Sequence, residues 1–211
     1  VSANSKKYNF KLKWGVQTTT DDSEGEVVNV SNKIPNVDEI NKIINLLPRL
    51  KAVPGRMEEV AVRKNGARIF VDYAHTPYAL DAALRSIRAH FMGQIHLVFG
   101  AGGNRDKGKR EMMGRVASEL TDNVIITDDN PRNENPATIR SEIKKFCPKA
   151  TEIADRAKAI LVGVDQLKTG DALIIAGKGH EKTQTFADSI LPFDDVEQAS
   201  CSVAVLDGQV Q

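Results

Sequence analysis

The sequence predicts an α/β fold: an open, mostly parallel sheet with helices on both faces, preceded by a small N-terminal piece. Three observations predict it. From Arg56 onward, short β-branched runs alternate with stretches of helical period, the pattern of strands joined by crossover helices. The runs end in loops rich in glycine or charge, as expected where an open parallel sheet binds ligands at its strand ends. The 211 residues, 41% hydrophobic and 27% charged, suffice for one good core and an appendage.

The elements follow in order. Residues 1–53 read as a remnant and linker too small to fold alone. Their start, VSANSKKYNF, lacks the apolar stretch of a signal peptide, and TTTDDSEGE (residues 18–26) is a polar loop. NVDEINKIINLLPRL then sets Ile40, Ile43, Ile44 and Leu47 on one face of a short helix. The main domain is expected over 54–205, with a tail at 206–211. Its strands are RIFVD (68–72), QIHLVF (94–99), NVIIT (123–127), ATEIA (150–154) and DALIIA (171–176). The first helix has Thr76 as N-cap and Pro77 at its first position, with Leu80, Ala83, Leu84, Ile87 and Phe91 at helical spacing. A second runs from about Arg110 to Leu120. A third starts at Asn135-Pro136 and buries Ile139, Ile143 and Phe146, a fourth follows Asp155, and a last follows Asp194.

Charge and cysteine content exclude several classes. Lys+Arg 29 against Asp+Glu 28 leaves +1, so no broad basic field directs the chain to nucleic acid or a membrane. Cys147 and Cys201 match no metal spacing and form no disulfide framework. No apolar run approaches the ~18 residues of a membrane helix. A cytoplasmic protein without a metal centre of its own is expected.

Four strand ends carry the chemistry: DYAHTP (72–77), GAGGNRDKGKR (100–110), TDDNPRNENP (127–136) and GKGHE (177–181). GAGGNR fails the dinucleotide fingerprint because Arg105 replaces its third glycine. GNRDKGK fits G-x-x-x-x-G-K, but Arg110 stands where a P-loop needs a hydroxyl for magnesium. What remains is an anion-attracting helix start with Arg105, Lys107, Lys109 and Arg110. In DDNPR, Pro131 restrains the turn from which Arg132 projects, a fork suited to a carboxylate. GKGHE brings Lys178, His180 and Glu181 beside small glycines. His180, His90 and the strand residue His96 read as structural, whereas His75, between a strand and a helix start, is better placed for a ligand.

PGRME (54–58), VDYAHTP (71–77), GGNRDKGKR (102–110), DNPR (129–132) and AGKGHE (176–181), in this order, resemble the Mur ligase family, from about Pro54 to Phe193. The resemblance implies its Rossmann-like C-terminal domain, and DNPR resembles the form found in members that add meso-diaminopimelate. It implies that Arg105, Asp129, Asn130, Pro131, Arg132, Gly177 and Glu181 hold the incoming amino acid. Arg56, Asp72 and His75 would face ATP, with Asp72 suited to ribose hydroxyls. The family reaction uses ATP and Mg2+ to turn the D-glutamate carboxylate of UDP-N-acetylmuramoyl-L-alanyl-D-glutamate into an acyl phosphate, which the amine attacks. GEVVNVSN (25–32) resembles the end of the family's central ATPase domain. The family's N-terminal UDP-sugar domain and the P-loop of its central domain have no counterpart in this sequence, so the chain alone is expected not to turn over ATP. A non-catalytic binding or regulatory module derived from such a ligase is the alternative, and a small P-loop phosphotransferase is disfavoured by Arg110.

Overall fold

The computed structural model describes residues 16–18, 27–31, 35–46 and 53–208. Contacts divide the chain into Val1–Lys51 and Ala52–Gln211, two residues ahead of the expected boundary. In the first unit, strands β1 (Val16–Thr18) and β2 (Val27–Val30) pair antiparallel, a hairpin not foreseen from the sequence. Thr18 belongs to β1 rather than to the expected loop, whose residues 19–26 lie outside those described, as do VSANSKKYNF and Leu47. Helix α1 (Val37–Leu46) opens with a reciprocal cap: Glu39 N–H donates to Asn36 Oδ1 (2.9 Å) and Asn36 N–H to Glu39 Oε2 (3.0 Å). Its expected apolar face is half exposed, at 49% for Ile43 and 51% for Ile44.

The second unit contains β3 (Glu58–Val62), β4 (Arg68–Asp72), α2 (Pro77–Arg88), β5 (Ile95–Phe99), α3 (Gly108–Leu120), β6 (Asn123–Ile126), α4 (Pro136–Lys144) and β7 (Thr151–Glu152). It continues with α5 (Arg156–Asp165), β8 (Ala172–Ala176), the hairpin β9 (Thr183–Phe186) and β10 (Ser189–Pro192), and α6 (Asp195–Leu206). One six-stranded sheet has the order β3-β4-β8-β5-β6-β7, parallel except for β3. Strand alternation sends successive side chains to opposite faces. Ile95, Leu97 and Phe99 join α2, α3 and α4 through Leu84, Met113 and Ile143, while Val98, Leu173 and Ile175 join α5 and α6 through Ile160, Val164 and Val203.

Local chemistry explains the helix starts. Thr76, Asn135, Asp155 and Asp194 each accept a backbone N–H of the following turn, and Pro77 and Pro136 occupy the first helical position. Arg156 and Asp195, both fully buried, pair at 2.7 Å, and Arg156 Nη2 also donates to the Ala176 carbonyl (3.1 Å), locking α5 and α6 to the central strand. Three expectations change. The run 150–154 shrinks to the two exposed residues of β7, and β3, whose apolar stretch is short, is added at the other edge. The segment expected as a tail is partly ordered: α6 extends to Leu206, and buried Asp207 binds Arg63 Nε at 2.8 Å. Among the described residues no helix is long and apolar enough to cross a membrane.

Candidate functional site

Because β8 lies between β4 and β5, GKGHE emerges between DYAHTP and the glycine loop, with TDDNPR following beyond β5. All four loops therefore share the carboxyl edge of the sheet, where the direction of winding reverses. A cleft of about 540 Å³ opens at the opposite edge, lined among others by Gln94, His96, Asn123, Lys149 and Lys168, and none of the four loops lines it.

The DNPR loop is held from three sides. Asp129, Asn130 and Pro131 are buried. Gly103 N–H donates to the Asn130 carbonyl (2.9 Å), and a Cβ at Gly103 would overlap the Pro131 carbonyl oxygen. Asp129 Oδ1 accepts its neighbour's N–H (2.6 Å), while Oδ2 lies 2.6 Å from where a Cβ of Gly177 would stand. Gly177 has φ +117°, a conformation that glycine adopts without strain. From the far side, β9 clamps the loop. Arg132 N–H donates to Thr185 O (3.0 Å), Thr185 N–H to Asn130 Oδ1 (3.0 Å), and Gln184 Nε2 to the Asp129 carbonyl (2.8 Å).

Arg132 sits in the left-handed region at φ +51°, so its side chain turns back over Gly102. Nη1 donates to Gly103 O at 2.9 Å, and Nε and Nη2 make no hydrogen bond among the described residues. Arg105, exposed and likewise without a bond among them, also approaches Gly102, its Cγ 4.0 Å from where a Cβ would stand. The half-exposed Glu181 accepts Asn130 Nδ2 at 2.8 Å and Lys178 Nζ at 3.1 Å, both on Oε2, which leaves Oε1. The structure thus gathers Arg105 and Arg132 at Gly102 and joins Glu181 to Asn130, offering guanidinium donors and a carboxylate acceptor around the DNPR turn. That combination matches the carboxylate and ammonium of an amino acid.

The residues expected to face ATP separate into two groups. Arg56 lies 4.7 Å above the Tyr73 ring, which also contacts the rings of His75 (4.5 Å) and His180 (5.2 Å). Arg56, His75 and His180 are exposed. Asp72 is different. It is only 7% exposed, and its oxygens accept Met57 N–H (2.7 Å) and Ala74 N–H (2.8 Å), which ties the PGRM turn to β4 instead of presenting a carboxylate to ribose.

Arg110 also departs from expectation. It is 1% exposed and held by Glu134 (3.0 Å) and Glu142 (2.7 Å), so it braces α3 against α4 rather than attracting an anion. Lys107 leans toward Glu134 at 3.5 Å. Lys109 donates to the His75 carbonyl at 3.2 Å, and burial lowers its pKa against the pull of Asp129. Lys178 was singled out in GKGHE without a role, and Tyr73 and Gln184 were missed from the sequence. Of the two missed, only the aromatic Tyr73 inside DYAHTP carried a signal. Among the described residues, no three His, Cys, Asp or Glu side chains converge as a metal site.

The family model described as Mur ligase, glutamate ligase domain, matches residues 55–179. The UDP-N-acetylmuramoyl-L-alanyl-D-glutamate--2,6-diaminopimelate ligases of Agrobacterium fabrum and Rhizobium meliloti are 52% and 55% identical over 165 and 149 residues. These alignments cover 78% and 71% of this chain, but 34% and 31% of the relatives. A solved structure of a ligase of that name superposes with a TM-score of 0.68 at 38% identity, over 78% of this chain and 34% of that one. The chain therefore spans about one third of the length of these relatives.

Proposed function

The chain belongs to the Mur ligase family, and from that premise we propose that it is the amino-acid-binding part of an ATP-dependent amide ligase. In this reading the ligase works in the cytoplasm and joins meso-diaminopimelate to UDP-N-acetylmuramoyl-L-alanyl-D-glutamate. The observation that carries the reading is the juxtaposition of the Arg132 fork, Asn130 and the Glu181 carboxylate on one held surface. The far end of diaminopimelate is itself an amino acid. Its carboxylate suits Arg132 and Arg105, its ammonium suits Glu181 Oε1, and lysine lacks that carboxylate. Asp129, Pro131 and Gly177 shape the loop rather than touching the ligand.

Gripping the far end leaves the near amine to attack the substrate's activated carboxyl carbon, so this domain contributes chiefly position. ATP, when bound, supplies the phosphoryl group that activates that carboxylate. Arg56, Tyr73, His75 and His180 form an exposed cationic and aromatic surface that fits a nucleotide, and Asp72 supports it through the PGRM turn. Among the described residues no three His, Cys, Asp or Glu side chains gather that could hold Mg2+ by themselves. Buried Arg110, in place of a P-loop hydroxyl, supports the expectation that the chain alone does not turn over ATP.

The test is Arg132→Ala in a full-length ligase carrying this domain. Losing a charge-assisted bond costs about 1.5–3 kcal/mol, so kcat/KM for diaminopimelate should fall roughly ten- to a hundred-fold, with that for lysine changing much less. Arg132→Lys should fall between. An equal fall for both amino acids would remove Arg132 from substrate choice.

A further inference from the structure

Lys178 is 0% exposed, unusual for an ammonium, and every bond it makes ends near the amino-acid surface. Nζ donates to Asn130 Oδ1 (3.2 Å), Glu181 Oε2 (3.1 Å) and the Thr183 carbonyl (2.6 Å). An ammonium has three N–H donors, and all three are used. Lys178 therefore has nothing left to offer a ligand. What it does is decide how its two neighbours face one.

Asn130 shows how. A side-chain amide can be turned either way round, and its surroundings choose the orientation. Here two donors, Lys178 Nζ and Thr185 N–H, meet the same atom, so that atom is the oxygen. The amide nitrogen must then point to Glu181 Oε2, leaving one N–H over. Glu181 is fixed by Asn130 Nδ2 and Lys178 Nζ, both on Oε2, so Oε1 is the acceptor that remains. The result is one N–H donor beside one carboxylate acceptor, the complement of an amino acid's carboxylate and ammonium.

We infer that Lys178 is the positioning residue that locks the Asn130 amide and the Glu181 carboxylate in the orientation that reads the amino-acid end of the incoming substrate. The inference rests on the reading of this surface as the diaminopimelate site. Without the ammonium, the Asn130 amide loses one of the donors that hold its oxygen, and Glu181 loses one of the bonds that hold Oε2. The ligand must then order both groups itself, which weakens binding without touching the nucleotide side.

The test is Lys178→Met in the full-length ligase, with Lys178→Arg, Glu181→Gln, Arg132→Ala and the double variant Lys178→Met/Glu181→Gln beside it. KM for diaminopimelate should rise about ten- to a hundred-fold in Lys178→Met, with KM for ATP and for the UDP-linked dipeptide unchanged. Lys178→Arg keeps the charge but not the three-way geometry and should recover part of the loss. The double variant should be no worse than the poorer single one, because both act through one carboxylate. A uniform loss across all substrates, or no change for diaminopimelate, overturns the inference. If Lys178→Met does not fold, Lys178→Arg decides by the same criterion: a rise confined to diaminopimelate supports the role, and a uniform or absent effect removes it. If Arg132→Ala also leaves diaminopimelate use unaltered, the reading of the site has failed. If only the Lys178 variants do, the positioning role alone has failed.

Discussion

At Gly103 the DNPR loop depends on a side chain that is not there. The Pro131 carbonyl fills the space a Cβ would need, and neither backbone has room to retreat, because Gly103 N–H is bonded to the Asn130 carbonyl. Gly170, at φ +86° with nothing within 4 Å of its would-be Cβ, carries only the conformational cost of alanine in the left-handed region, about 1–2 kcal/mol. Gly103→Ala is therefore expected to abolish diaminopimelate binding, while Gly170→Ala lowers the urea midpoint and leaves binding intact. Calorimetric titration and urea unfolding of the two variants check this, and similar binding in both would show that the close approach at Gly103 is relieved elsewhere. Residues of this kind were legible because glycine, proline and arginine announce themselves in a loop. The burial of Lys178 was not, because it depends on acceptors from Asn130, Glu181 and Thr183, which no local pattern connects. Arg110 misled for the same reason: its partners, Glu134 and Glu142, lie in and before the next helix.

Among elements, the helices and buried parallel strands were readable from period and caps, whereas the β9–β10 hairpin was not. Its two-residue loop is Ala187-Asp188, with Ala187 at φ +45°, where glycine or asparagine would have signalled a turn. Yet this hairpin holds the site. Gln184 is 6% exposed and spans the Asp128 and Asp129 carbonyls (3.3 and 2.8 Å). Truncating it leaves buried acceptors short of a donor, a cost of about 1–3 kcal/mol. Gln184→Ala should lower the urea midpoint and raise KM for diaminopimelate together, because the same bonds serve fold and loop. A variant that loses stability but keeps its KM would show that Arg132 and Asn130 hold their places without β9.

Across the whole molecule, alternation of strand and helix was enough for the layered architecture. The position of β8 between β4 and β5 was beyond it, since sequence order says nothing of which strand inserts. The sheet also carries a titratable group in its core. His96 is 4% exposed, its Nδ1 has no partner among the described residues, and burial lowers its pKa against the opposing pull of Asp171, 3.4 Å from Nε2. The folded state therefore disfavours the proton that the unfolded chain takes up near the ordinary value of 6.5. The stability due to neutral His96 is complete above that pH and declines as pH falls from it toward the lowered folded value. Urea midpoints at about pH 7.5 and about pH 5.5 should differ in the parent and differ less in His96→Gln. Equal differences would assign the slope to other groups. The pairs that lower Asp122, Asp194 and Asp207 act in the carboxylate range, below this window.

An open sheet has two borders where the ladder stops, and each is an invitation to any passing strand. Here β7 contributes two residues, with Glu152 drawn away by Arg140, and β3 breaks its register between Glu59 and Ala61 while carrying Glu58 and Glu59. A second chain would find too few consecutive backbone groups on one side, and an irregular, acidic row on the other. Short or irregular borders of this kind thus disfavour sideways growth of the sheet by an added strand.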